Sequence, residues 1–187
     1  FFARNSVGIK AFTGNTGASA IDIPNKGDVD ATSQGIYASA FGGSIVIDST
    51  GDIKSGIGQL QSTNYGDGIR ARTIENGNIT ITNTGEIEAA GRGSGIVAYS
   101  IYSDSAIMSV THVSGTITGG DGDNDGDAIK VYAASMAENG TITATVTTSG
   151  KLKGGGTNGA GINIFAFTYD AGAKMNGTVV ITATGEV

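Results

Sequence analysis

The chain has 187 residues, a net charge of −6 at neutral pH, 32 glycines, one proline and no cysteine. That length allows one domain with a sizeable core, and the missing cysteine removes disulfides, thiolate metal sites and cysteine nucleophiles together. The acidic balance makes nucleic acid a poor partner, and only two leucines, Leu60 and Leu152, set aside helix bundles and leucine-rich repeats.

Glycine has no Gly-X-Y period, and an apolar content of 39% argues against disorder. Ile, Val, Thr, Ala and Gly dominate, which is strand-and-turn chemistry. No apolar run approaches the roughly 18 residues a membrane-spanning helix needs.

The first phrase opens at Gly8-Ile9, with Ile9 and Ala11 two apart. It continues through Ile21 and Ile23 and ends on Val29, two residues after Gly27. The second opens at Gly35-Ile36, passes Ile45 and Ile47, and ends at Gly51 and Ile53. The third runs from Gly68-Ile69 through Ile79 and Ile81 to Gly85 and Ile87. A fourth starts at Gly95-Ile96 and reaches Gly115 and Ile117, a fifth starts at Ala128-Ile129 and reaches Leu152, and a sixth runs from Gly161-Ile162 to Val187. Openers at 8, 35, 68, 95, 128 and 161 recur every 27 or 33 residues.

From the second segment to the third the offset is six residues in five of the six phrases. In the fourth it lands on Thr111, beside Val110, so a bulge or shift is expected near His112. Constant spacing across that corner predicts a fixed glycine turn, with length variation absorbed by surface loops.

Strands this short cannot bury themselves as hairpins. Stacked in parallel, each coil covers the next, and alternate Ile, Val and Ala side chains fill one interior. The expected fold is all-β: a right-handed parallel β-helix of about six coils, three short strands each, with three sheets. Residues 1–187 read as a single β-helix segment, a fragment or processed piece of a longer protein. A propeller needs about 40 residues per blade. A helix is locally plausible over 131–138, where Ala134, Met136 and Ala137 favour it, but the repeat alignment places a strand there.

The run Gly119-Gly120-Asp121-Gly122-Asp123-Asn124-Asp125-Gly126-Asp127 sets four carboxylates on a glycine-rich turn. Hard oxygen ligands so spaced suit Ca²⁺, which makes Asp121, Asp123, Asp125 and Asp127 candidate calcium ligands. The run partly resembles the calcium-binding nonapeptide Gly-Gly-x-Gly-x-Asp-x-apolar-x, with Asn124 at the Asp position and Gly126 at the apolar one. A solvated turn is the simpler reading, because Gly91-Arg92-Gly93-Ser94 and Gly154-Gly155-Gly156-Thr157 hold the same place in other coils. No other cofactor is expected.

Along the third segment Asp28, Asp52 and Glu86 should stack about 5 Å apart, near the separation of a retaining glycosidase pair. Arg70 and Arg92 fall on different elements and His112 in the irregular repeat, so no acid, base and substrate-binding set is expected to converge. A charged, soluble face is the simpler reading, and no catalytic residue is assigned.

Tyr99, Tyr132 and Phe165 share one outward position of the first strand and should form an aromatic ladder. Exposed, it suits sugar rings, a partner protein or lateral packing of columns; covered by a loop, it is packing alone. Threonines at 80, 82, 141, 143 and 145 give the second strand an outer face like that of β-helical ice-binding proteins, interrupted by Asp22, Val46, Asp48 and Val180. Asn78-Ile79-Thr80, Asn139-Gly140-Thr141 and Asn176-Gly177-Thr178 fit the glycosylation pattern, although Asn-Gly is also an ordinary turn dipeptide.

Gly68-Ile69-Arg70-Ala71 followed by Ile79-Thr80-Ile81-Thr82-Asn83-Thr84-Gly85-Glu86-Ile87 resembles the passenger regions of bacterial autotransporters and related β-helical surface adhesins. The resemblance extends over nearly the whole chain through its repeat grammar. It implies a secreted or outer-membrane-displayed stalk or adhesive column, held to the membrane only through a barrel not in this chain. Expected partners are a host or neighbouring-cell surface protein or glycan, and end-to-end stacking of copies. A polysaccharide-binding or polysaccharide-degrading β-helix, a lyase or glycoside hydrolase, is the alternative.

Overall fold

A computed structural model describes residues 6–14, 19–57, 65–121, 126–135, 140–168 and 176–187. These contain no helix. They wind as a parallel β-solenoid with three sheets around one apolar interior. The first sheet stacks Ile9–Thr13, Ile36–Phe41, Ile69–Ile74, Ile96–Ile101, Ile129–Ser135 and Ile162–Thr168. The second stacks Ile21–Asn25, Ile45–Ser49, Ile79–Asn83, Ser105–His112, Thr141–Thr148 and Asn176–Ala183. The third has five short members: Val29–Asp30, Ile53–Lys54, Ile87–Glu88, Thr116–Thr118 and Lys151–Lys153. A short antiparallel pair, Tyr65–Gly66 with Ala90–Gly91, closes one flank.

The helix considered over 131–138 is not formed where the structure describes it, since Val131 to Ser135 is strand. Intrinsic propensity yields there to pairing on both sides, with Ile96–Ile101 and with Ile162–Thr168.

Register follows the repeat. Ile9, Ile36, Ile69, Ile96, Ile129 and Ile162 stand one above another. Val29, Ile53, Ile87, Ile117 and Leu152 do the same on the third sheet. Strand alternation sends these side chains inward, and Ile36, Ile53, Ile69, Ile96 and Ile129 are fully buried. Each such burial stabilises the fold by about 1.5–3 kcal/mol.

The count of coils is corrected: the structure has about four turns, not six. A turn is complete only when neighbours cover it above and below on all three sheets. The first strand is only half-buried on its inward side, the last is exposed along its whole length, and the third sheet has one member fewer than the others.

The opening glycines are steric necessities. A Cβ on Gly35 would lie 2.6 Å from the Gly68 carbonyl oxygen and overlap the Ile53 γ2 methyl; Gly68 and Gly95 meet Ile87 and Ile117 in the same way. The fifth coil breaks the rule with Ala128, which is fully buried. Its third-sheet residue is Leu152, which branches one carbon farther out and carries no methyl on its β-carbon. Leucine therefore lacks the γ2 methyl that overlaps an opener Cβ in the second, third and fourth coils, one of the two close approaches there.

Polar side chains form a second internal column. Asn25, Ser49, Asn83, His112 and Thr148 are in register at the end of the second sheet, all buried. Asn25 and Asn83 donate through Nδ2 to the carbonyls of Gly27 and Gly85, two residues on, and Thr148 donates to Gly150. The expected irregularity near His112 is one extra residue in this turn. The imidazole, longer than an asparagine amide, bonds across it to the Gly115 carbonyl three residues on. Asn83 Nδ2 faces His112 Nδ1 at 3.2 Å, so Nδ1 accepts and Nε2 carries the proton toward Gly115. Burial lowers the His112 pKa below its ordinary value, partly opposed by the carbonyls of Gly115 and Asn83.

Candidate functional site

Outward positions of the first sheet carry the chemistry. Tyr99 pairs with Tyr132, and Tyr132 with Phe165, on adjacent strands. The Tyr99 and Tyr132 rings stack at 4.5 Å between centroids and 15° between planes; Tyr132 and Phe165 follow at 5.8 Å and 22°. Phe167 packs edge-on against Tyr132 at 5.4 Å.

Arg72, the register partner of Tyr99, places its guanidinium 5.9 Å from that ring, and Arg70 approaches it at 5.8 Å. The expected ladder is therefore four rungs, with a cation at its base. Because the rings stack along the column, their faces are used on one another and their edges turn outward. Tyr99 and Tyr132 are half-buried, while Phe165 is 54% exposed and presents the open end.

Beside the ladder lies a cleft of about 390 Å³ bordered by Asp67, Arg70, Arg92, Val97, Lys130 and the two tyrosines. Its origin is a size mismatch. Arg70, Val97 and Lys130 are in register, so a short side chain sits between two long ones and leaves a notch. Val97, 5% exposed, is its apolar floor. Arg92 enters from the corner that follows Ala90–Gly91.

Two buried carboxylates brace the wall. Asp67 accepts from the Ser94 amide at 2.9 Å and from Arg70 Nη1 at 2.9 Å. Asp127 accepts from the Ala160 amide and Asn163 Nδ2, both at 3.0 Å, with Lys130 Nζ at 3.6 Å. Each holds the residue before an opener to the next coil. Arg92 differs: its Nε is buried with no hydrogen-bond partner among the described residues.

Of the four candidate calcium ligands, Asp123 and Asp125 lie outside the described residues. Asp121 is exposed, and Asp127 is buried in the bonds just given. Among the described residues no three metal-ligating side chains cluster.

Asp28, Asp52 and Glu86 do stack, but they tie coils together. Asp28 Oδ1 accepts from the Asp52 amide at 3.0 Å, and Asp52 Oδ1 from the Glu86 amide at 2.8 Å. A shallow cleft of about 400 Å³ beside them is lined by Glu86, Glu88, Lys54 and Lys153.

The sequence reading kept Arg70 and Arg92 apart because they belong to different elements; the winding brings both to one cleft with Lys130. Asp67, immediately before the Gly68 opener, is not picked out by the motifs, and Asp127, expected as a calcium ligand, instead braces the next coil from the same place before Ala128. Compared with protein-family models, curated proteins and solved structures, the chain matches none.

Proposed function

We propose that this chain is a structural and adhesive β-helix module, secreted or displayed on a bacterial cell surface, that presents binding surfaces from a stiff column. The winding is right-handed, the strong default for parallel strands joined through a crossover. The reading is that of an autotransporter-passenger-like segment whose partner is a protein or glycan on a host or neighbouring cell.

The observation that carries the proposal is the ladder of Arg72, Tyr99, Tyr132 and Phe165, held on paired strands and opening at an exposed ring. Strands hold side chains more rigidly than loops do, which favours a fixed recognition surface. The carboxylates on the third sheet serve backbone amides, so a structural role accounts for them without catalysis.

Beads coated with the purified chain test this by their retention on cultured cells and on glycan-coated surfaces. Retention lost on Phe165→Ala supports the proposal; no retention on any surface overturns it. The cations beside the ladder favour one second reading, a polysaccharide-binding or polysaccharide-degrading protein. Product release from pooled polysaccharides that disappears in Asp52→Asn and Glu86→Gln would establish the degrading form.

Lengthwise self-association belongs to the same proposal. Val179, Ile181 and Val187 are 52%, 51% and 64% exposed, whereas Ala144, Val146 and Leu152 at matching positions one coil earlier are buried. A second copy stacked on this end would cover them and pair the open strand edges.

A further inference from the structure

We infer that the cleft between Arg70, Arg92 and Lys130 binds a carboxylate-bearing sugar, the acidic residue of a glycan. The inference rests on the proposed role as a presenting column and names what one of its surfaces takes. A volume of about 390 Å³ lies within the range of small-ligand pockets, about 300–1,000 Å³.

Charge selects the ligand. Three cationic side chains border the cleft and two carboxylates brace its wall, leaving one positive charge in excess. Asp67 and Asp127 are already engaged by backbone amides and by Arg70 or Lys130. The excess falls on Arg92, whose buried Nε lacks a partner among the described residues. A buried donor without an acceptor is unfavourable, and a carboxylate in the cleft supplies that acceptor in the planar geometry a guanidinium prefers.

The surroundings select a sugar over a denser anion. The whole chain carries −6, so a polyphosphate meets stronger general repulsion than a single carboxylate on an otherwise neutral ring. Val97 offers an apolar floor for ring carbons. Ser94 and the tyrosine edges form polar walls suited to ring hydroxyls. Because the tyrosine faces are occupied by stacking, recognition runs through charge and hydrogen bonds, with no ring lying flat on an aromatic platform.

Isothermal titration calorimetry on the full chain tests this with sialyllactose and a glucuronate-containing hyaluronan tetrasaccharide. Lactose is the neutral control, with inorganic phosphate and a tetraglutamate peptide as anion controls. The inference expects at least one acidic sugar to bind, lactose to bind at least tenfold more weakly, and the affinity to fall as salt rises. Arg92→Gln should weaken binding at least tenfold with an unchanged melting temperature, and Arg92→Lys should retain part of it. Failure of both acidic sugars, equal binding of lactose, phosphate or tetraglutamate, or full binding by Arg92→Gln overturns it. Beads that still adhere through Phe165 while neither acidic sugar binds would leave the column reading standing and remove only this site. Sugar binding without adhesion to any surface would do the reverse.

Discussion

Replacing Leu152 with isoleucine should expose the coupling between the third sheet and the coil opener. In the second, third and fourth coils the γ2 methyl of isoleucine fills the space a Cβ on the opening glycine would need. The fifth coil pairs Ala128 with Leu152 instead, and both are buried. Leu152→Ile moves a methyl onto the β-carbon and into the alanine, an overpacking that should cost about 1–3 kcal/mol. Ala128→Gly alone loses a buried methyl and adds backbone freedom, together about 1–2 kcal/mol. The double variant recreates the glycine–isoleucine pairing of the other coils, so it should be no less stable than Ala128→Gly. The two changes would then be non-additive by about 1–3 kcal/mol, as contacting residues are. Urea unfolding of the four proteins, with matching slopes, measures this directly. Additivity within about 0.5 kcal/mol would refute the steric reasoning.

Four shorter predictions accompany it. His112 is held neutral by burial with its pKa lowered, so the unfolded chain binds the extra proton more readily. Stability should be complete above the unfolded pKa of about 6.5 and fall as pH drops below it, by about 1.4 kcal/mol per unit of pKa difference; thermal melts of His112→Asn should show a flatter profile. Asp52→Ala removes the acceptor for the Glu86 amide and should cost about 0.5–1.5 kcal/mol in urea unfolding, while Lys54→Ala on the same strand should cost less. Millimolar Ca²⁺ should raise the melting temperature if the acidic run Asp121 to Asp127 ligates it, and Asp123→Ala with Asp125→Ala should abolish the rise; an unchanged melt in the parent chain removes calcium. Light scattering should find dimers or longer stacks at high concentration, reduced by Val179→Lys with Ile181→Lys, and a concentration-independent monomer would contradict lengthwise association.

The architecture was legible because two simple constraints are written openly in the chain. Ile36, Ala38 and Ala40 alternate at the period of a strand, and Gly35, Gly68 and Gly95 stand where no Cβ fits. Ladder positions such as Tyr99, Tyr132 and Phe165 followed once the coils were aligned. Other features depend on three-dimensional neighbours that spacing does not reveal. Asn25, Asn83 and His112 resemble ordinary turn residues until their turn glycines, two or three positions ahead, are seen to accept from them. The cleft is harder still, because it is a missing side chain: Val97 between Arg70 and Lys130. The number of complete turns was overread because opener counting weights an exposed end coil equally with a covered one.

The central claim is that distant phrases of the sequence stack in register around one interior. Asp22, Val46, Thr80, Ser109, Thr145 and Val180 form one continuous outward row. At about 4.8 Å per rung, five rungs separate its ends by about 24 Å. The chain has no native cysteine, so spin labels on Asp22→Cys and Val180→Cys report that distance cleanly by pulsed electron resonance. A single narrow distribution near 24 Å, widened only by the label arms, is the expected result. A broad distribution, or one centred beyond about 40 Å, would contradict the stacked column.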